Sequence, residues 1–247
     1  MSFYNKRIII TGGTSGIGLA LVKKLAVNNH ITVISRKGLL PTQLLNAQHS
    51  IQLYHADLAN KADIESVVDK IQQQESAIDV LINNAAVQCT PEFLATDFNY
   101  DSIQTEVNVN FTAVCHLTYL CLPLLLAAEK GEILNVNSGL ALAPKRSSAI
   151  YCATKSALDS FSRSLAYQLA DTNVAVRQVF LPLVQTAMTE GRVLGKYSAK
   201  LQADDVATQI INGIVQEKSV HDIGKVRFLR LLNYLFPPLA QRIMKAN

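Results

Sequence analysis

Three residues of this chain have the types and spacing for proton chemistry: Ser138, Tyr151 thirteen positions later, and Lys155 four positions after that. On a helix, positions i and i+4 share a face, so the phenol and the ammonium can point at one ligand. A free tyrosine has a pKa of about 10 and is a poor base at neutral pH. A close ammonium favours the phenolate. Bringing the phenol to about 7 takes roughly 4 kcal/mol of differential stabilisation, which a lysine and a cationic nicotinamide together could supply in a partly desolvated site. Such a tyrosine can protonate a carbonyl oxygen as hydride arrives, or take a hydroxyl proton in the reverse direction. Ser138 would hold the same oxygen by a hydrogen bond. Standing alone, Y-x-x-x-K is equally a pair of exposed helix residues, so the elements around it decide.

The first of these elements is Arg7 to Thr11, a short apolar run of the kind found in buried parallel strands. It enters Gly12-Gly13-Thr14-Ser15-Gly16-Ile17-Gly18 and then Leu19 to Leu25 at helical spacing. Strand, glycine loop and helix in that order let backbone approach a pyrophosphate at a helix N-terminus. The spacing is G-x-x-x-G-x-G, not the G-x-G-x-x-G of the common dinucleotide fingerprint. A second strand, Ile31 to Ile34, ends in Ser35-Arg36-Lys37. An acid at this strand end would bind a ribose 2′-hydroxyl and select NAD; none is present. Arg36 can instead fork onto a 2′-phosphate, the alternative being a solvated loop arginine.

Further strands are expected at Ile51–His55, Asp79–Ile82, Gly131–Asn137 and Val174–Phe180. Helices are expected at Lys61–Gln74, Tyr151–Ala170 and Asp204–Gln216. The alternation implies an α/β doubly wound parallel sheet, whose ligands sit at the carboxyl ends of the strands. Ser138 lies at one such end. A stretch from Val107 to Ala128 has no charged residue but contains Asn108, Asn110, His116 and Pro123. It reads as a helix buried in the core or at a subunit interface, with Pro123 kinking or ending it, in preference to a membrane span. Residues 181–203 have little periodicity, and a loop of that length beside a site is typically functional, here a substrate loop.

The totals agree with a single domain, 1–247, without repeat or linker. The 247 residues include 49% apolar and 17% charged, which argues against disorder. A net charge of +4 with no basic run gives no nucleic-acid footprint. Cys89, Cys115, Cys121 and Cys152 form no C-x-x-C pair or metal spacing, so no metal is expected, and scattered cysteines fit a reducing compartment. The N-terminus lacks a signal-peptide pattern, and a cytoplasmic location is expected.

Taken together, T-G-G-T-S-G-I-G at 11–18, Asp57-Leu58, N-N-A-A at 83–86, Asn110, Ser138 and Y-C-A-T-K at 151–155 resemble the short-chain dehydrogenase/reductase family, in its ~250-residue type. The resemblance implies a Rossmann-type sheet of about seven strands with helices on both faces. It also implies an NAD(P)(H)-dependent reaction between an alcohol and a carbonyl. In that pattern Tyr151 is the acid/base, Lys155 lowers its pKa and holds the nicotinamide ribose, and Ser138 orients the substrate oxygen. Asn110 anchors a water in the proton relay, the alternative being a polar kink in a core helix. The cofactor-binding set the resemblance implies is Gly12, Thr14, Ser15, Gly16, Ile17, Gly18, Arg36, Asp57, Leu58, Asn84, Ala85, Tyr151, Lys155, Val184 and Thr186. Asp57 meets the adenine, and Thr186 the carboxamide. Ser35 occupies the acidic NAD position, and the arginine after it marks NADP(H) over NAD(H).

The chain departs from the family in places. N-N-A-G reads N-N-A-A, P-G-x-x-x-T reads Pro182-Leu183-Val184-Gln185-Thr186 after Leu181, and the usual D-G-G near the C-terminus is absent. The region before Thr186 and the leucine-rich tail resemble a bacterial DltE-like subgroup associated with teichoic-acid D-alanylation, a likeness that establishes no substrate.

The tail, 224–247, is amphipathic and basic: Lys225, Arg227 and Arg230 interleave with Phe228, Leu229, Leu231, Leu232, Leu235 and Phe236. It fits a segment packed on a second subunit of a homodimer or homotetramer, with peripheral membrane contact the less favoured option. Val87, Leu140, Leu142, Ala143, Pro144 and Met188 are expected on the substrate side, for a mainly apolar carbonyl or secondary alcohol. A regulator that binds NADP(H) as a redox signal without turnover is the competing reading; a complete Ser138/Tyr151/Lys155 set argues against it. A sugar-nucleotide epimerase or dehydratase would normally need a larger C-terminal domain than the residues after Gln216 can build.

Overall fold

The computed structural model describes residues 3–36, 38–44, 50–189 and 201–245. Short apolar runs bounded by turn residues become strands: β1 (Arg7–Thr11), β2 (His30–Ser35), β3 (Ser50–His55), β4 (Val80–Asn83), β5 (Gly131–Ser138) and β6 (Val174–Leu181). Two short strands, β7 (Val184–Gln185) and β8 (Leu201–Gln202), pair with each other, and β9 (Val220–Asp222) joins the main sheet. That sheet has seven strands in the order β3-β2-β1-β4-β5-β6-β9, and every pairing is parallel. The alternation of strands and helices predicted this arrangement. Only β9, three residues long, is too short to read from periodicity.

Helices cover both faces. Pleating sends Ile8 and Ile10 to one face of the sheet and Ile9 to the other. The first face packs on Leu21, Val22 and Leu25 of α1 (Gly16–Leu25) and on Val206, Ile210 and Ile214 of α6 (Ala203–Val215). The second packs on Ile64, Val67, Val68 and Ile71 of α2 (Lys61–Gln74), on Leu117, Cys121 and Leu125 of α4 (Ala113–Leu126), and on Leu165 of α5 (Ala149–Gln168). Each large side chain fully buried here contributes about 1.5–3 kcal/mol. Asn60 starts α2 by accepting the Ala62 N–H at 3.0 Å, and Asn99 starts α3 (Tyr100–Val107) by accepting that of Asp101 at 2.9 Å.

The uncharged stretch differs from expectation in where its helix is irregular. The run from Tyr100 to Leu126 is long and apolar enough, by composition, to cross a membrane. Half of that apolar window is buried inside the protein, against the sheet and α2. Pro123 lies inside α4, which continues to Leu126 before Ala127 closes it with a bond to the Pro123 carbonyl at 3.1 Å. The irregularity sits earlier: Asn108–Thr112 forms a π-helical turn between α3 and α4, with Asn110 at its centre. Proline within the last turn removes few bonds, whereas a π turn relocates carbonyls and commonly marks a functional site.

The tail forms two helices, α7 (Val226–Leu235) and α8 (Pro237–Lys245), which pack on each other. Proline supplies the first residue of α8, where its missing N–H removes no helical bond. Of the substrate loop, residues 190–200 lie outside the described part. Its flanks are β7 and β8.

Candidate active site

β1 and β4 are neighbours in the sheet, although the chain visits β2 and β3 on the far side between them. A crevice opens at such a switch point, beyond the carboxyl ends of the strands. Thr11, the last residue of β1, laces the two ends together. Its Oγ1 accepts the N–H groups of Asn84 and Ala85, each at 3.0 Å, and its carbonyl accepts Asn84 Nδ2 at 2.9 Å.

The glycine loop follows. Gly12 has φ +69° and Gly16 +52°, left-handed values that glycine adopts without strain. Gly18 answers a different need: a Cβ there would lie 2.2 Å from the Gly12 carbonyl oxygen. The loop therefore closes on itself only with glycine. Leu19 N–H bonds the Ser15 carbonyl at 3.0 Å to open α1. Ser15 makes no side-chain cap, and the first turn has no acid. Its first N–H groups and helix dipole thus suit an anion such as a pyrophosphate, so the residues present fit a dinucleotide.

All the expected cofactor-binding residues, from Gly12 through Arg36, Asp57, Leu58, Asn84 and Ala85 to Val184 and Thr186, line one cavity of about 1150 Å³. At its outer end, Thr14 and Ser35 hydroxyls meet at 2.8 Å. Arg36 Nη1 stands 3.8 Å from Asp57 Oδ2, both side chains being partly exposed. Asp57 also accepts the Ala59 N–H at 3.0 Å, which fixes its carboxylate over the cavity rim. Thr186 comes against the loop where Gly16 lacks a side chain; a Cβ there would be 3.1 Å from the Thr186 methyl.

Ser138, Tyr151 and Lys155 line the same cavity. β5 ends at Ser138, and the chain turns through a short helical stretch, Gly139–Ala141, before α5 brings in Tyr151 and Lys155. Ser138 Oγ accepts the Leu140 N–H at 3.1 Å, leaving its own proton to donate. Lys155 is only 3% exposed; its Nζ lies 5.9 Å from the centroid of the Tyr151 ring and donates to the Val136 carbonyl at 2.9 Å. Burial pulls its pKa from 10.5 down to about 8, so the ammonium persists at neutral pH.

Asn110 behaves differently. It is wholly buried and does not line the cavity, although its neighbour Val109 does. Its Oδ1 accepts the Val87 N–H and its Nδ2 donates to the Val87 carbonyl, both at 2.8 Å. Nδ2 also reaches Thr154 Oγ1 at 3.3 Å, and that hydroxyl donates to the Tyr151 carbonyl at 2.8 Å. The side chain is thus committed to holding the loop after β4 against the turn that carries Tyr151. The π turn itself has Ala113 N–H reaching five residues back to the Asn108 carbonyl.

Two features escaped the sequence. Glu106 is completely buried, and its Oε1 accepts the N–H groups of Cys89 and, at 2.7 Å, Thr90. With Asn110 on Val87 and Gln88 Nε2 donating to Ser148 Oγ, it clamps residues 87–90 beside the site. A glutamate in sequence carries no sign that it will be buried, so no pattern announced it. The second feature is the tail. Rather than leaving the body of the protein, α7 and α8 wall the cavity with Leu229, Leu232, Leu239, Ile243 and Met244. Arg230 pins α7 to β9 by a two-pronged bond to Asp222, each prong 2.7 Å. Of the expected substrate-side residues, Val87, Leu140 and Met188 line the cavity, whereas Leu142, Ala143 and Pro144 face a separate cleft of about 430 Å³. The short helical stretch after Ser138 turns these three away.

Residues 6–196 match the short chain dehydrogenase family. The chain is 32% identical over 191 residues to an uncharacterized oxidoreductase, DltE, of Bacillus subtilis, covering 77% of this chain and 76% of that protein. Among solved structures it is similar to a short chain dehydrogenase from Burkholderia cenocepacia in complex with NADP, with a TM-score of 0.85, 19% identity, and 99% and 100% of the two chains covered. A short chain dehydrogenase/reductase from Burkholderia phymatum in complex with NAD gives a TM-score of 0.81 at 22% identity, over 95% and 96% of the chains. At those identities the two structures speak for the fold. The match over residues 6–196 and the DltE relative speak for more: the chain is an oxidoreductase of the short-chain dehydrogenase family.

Proposed function

We propose that this enzyme interconverts a carbonyl and a secondary alcohol, prefers NADP(H) to NAD(H), and uses Tyr151 as general acid/base. The observation that carries the reading is the meeting of Ser138, Tyr151 and Lys155 with the glycine loop on one cavity. When bound, NADP(H) supplies or accepts the hydride. In reduction, the Tyr151 hydroxyl gives its proton to the substrate oxygen while the Ser138 hydroxyl donates a hydrogen bond to the same atom. The Lys155 ammonium stabilises the phenolate left behind and would hold the nicotinamide ribose. Asn110, whose amide is occupied by Val87 and Thr154, would anchor the water of the relay through the main chain of its turn.

Support for NADP(H) comes from the end of β2, where Ser35 and Arg36 line the cavity and no acid stands in their place. The substrate is mainly apolar, as the Leu229, Leu232 and Leu239 side chains that line the cavity are. All four cysteines are unpaired, which supports a cytoplasmic setting. Exposed Tyr119 and Leu126 on α4 and Tyr167 on α5 support a homo-oligomer.

Turnover of NADPH with a panel of ketones, followed by absorbance, tests the reading together with Tyr151→Phe. The variant should lose turnover and keep most of its NADP⁺ affinity. Turnover that survives the substitution would refute Tyr151 as the proton donor, and a regulator without chemistry would turn over none of the ketones with either protein.

A further inference from the structure

The cavity of about 1150 Å³ exceeds the roughly 300–1,000 Å³ usual for a single small ligand, leaving room beyond a dinucleotide. From the tail it is lined by Leu229, Leu232, Leu239, Ile243 and Met244, side chains without a hydrogen-bonding group other than a thioether, with Lys225 the one charged tail residue beside them among the described residues. At Lys145 and Met244, which line both spaces, it meets the 430 Å³ cleft. The floor of that cleft, Leu142 to Arg146, is tied to α7 by Asn233 Nδ2 donating to the Leu142 carbonyl at 2.9 Å. Lys145, Arg146 and Lys245 bring three cations to it from two separate segments, and Gln241 adds an amide. No carboxylate lines it among the described residues. Among the described residues its cations have one ion-pair partner, Glu92, 4.0 Å from Arg146, and the sequence has no Asp or Glu after Asp222.

We infer that this cleft binds the anionic end, phosphate or carboxylate, of an amphiphilic substrate whose apolar chain lies along α7 and α8 and whose carbonyl reaches Tyr151. The inference rests on the proposed role of Tyr151 for the position of the carbonyl, and on the cleft alone for the anion. Neither half would suffice. Each methylene buried against the tail strengthens binding about fourfold, while the clustered cations discriminate the end group by charge and add steering from solution. An uncharged ketone of the same length would fill the apolar wall and leave the cations idle.

Octyl phosphate, octanoate, 1-octanol and inorganic phosphate test this by calorimetric titration of the full chain in saturating NADP⁺, which covers the nucleotide end. Octyl phosphate or octanoate should bind about tenfold or more tightly than octanol, and the stronger of the two identifies the end group. The double variant Arg146→Gln/Lys245→Gln should remove most of that difference while leaving octanol unchanged, because both positions are exposed. Equal affinity for the anions and octanol, or anion binding indifferent to the double variant, would overturn the inference. So would inorganic phosphate binding as tightly as octyl phosphate, which would leave the apolar wall without a role. Loss of NADP⁺ binding or of ketone turnover would instead count against the proposed function, since the probes undergo no reaction.

Discussion

Replacing Lys155 by methionine removes a buried cation whose proton is held less tightly in the native protein than in the unfolded chain. A fall from 10.5 to about 8 corresponds to about 3 kcal/mol against the charged native form. At neutral pH both states carry the proton, and that penalty is present in full. Between pH 8 and 10.5 the native protein releases the proton while the unfolded chain keeps it, so stability rises with pH across that window. Integrated from about pH 7 to about pH 9.5, wild type should gain roughly 2 kcal/mol relative to Lys155→Met, which has no proton to release. The bond from Nζ to the Val136 carbonyl, worth about 1.5–3 kcal/mol for a charged donor, offsets much of the burial penalty at neutral pH. The variant should therefore be close to wild type in stability at pH 7 and clearly weaker at pH 9.5, while losing turnover at both. Urea denaturation of the two ligand-free proteins at each pH measures this. A stability difference that does not change with pH would refute the idea that Lys155 is a buried ammonium of lowered pKa.

Arg36→Ala should weaken NADPH by about 1–2 kcal/mol, roughly five- to thirtyfold, because a half-exposed guanidinium shared with Asp57 makes only part of a charged hydrogen bond's contribution. NADH affinity, read by nicotinamide fluorescence, should stay within about twofold; equal loss for both would remove Arg36 from phosphate recognition. In Gly18→Ala, the new methyl would sit 2.2 Å from the Gly12 oxygen and 2.6 Å from Asn84 Nδ2. The loop must open, with about 1–3 kcal/mol of stability lost by thermal unfolding and nucleotide affinity lost with it. Glu106→Ala strips the acceptor from Cys89 and Thr90 N–H. About 1–3 kcal/mol of destabilisation in urea is expected, together with a fall in kcat as residues 87–90 lose their clamp, and unchanged kcat would show that the clamp does not reach the chemistry.

The chain carried in its sequence everything that depends on neighbours a few positions apart. Apolar runs such as Arg7–Thr11 bury both faces of a parallel strand and show it in composition. The glycines must stand where backbone turns left or touches backbone, and Tyr151 and Lys155 share a helical face whatever surrounds them. Hence the doubly wound sheet, the loop and the Ser138/Tyr151/Lys155 set were legible before any coordinates. Tertiary structure alone decided the rest. Pro123 looked like the break in the uncharged helix, but the π turn formed at Asn108–Thr112, where Asn110 reaches across to Val87. The side of the cavity on which Leu142 to Pro144 fell, and the folding of the tail onto the site rather than away from it, were likewise invisible. Asn233 and Leu142 meet across 91 residues only because β9 joins the sheet beside β6 and Arg230 locks α7 to it. A periodic pattern states which face of a helix is apolar; it carries no information about which distant surface will cover that face, because the choice is made by the summed packing of the whole chain.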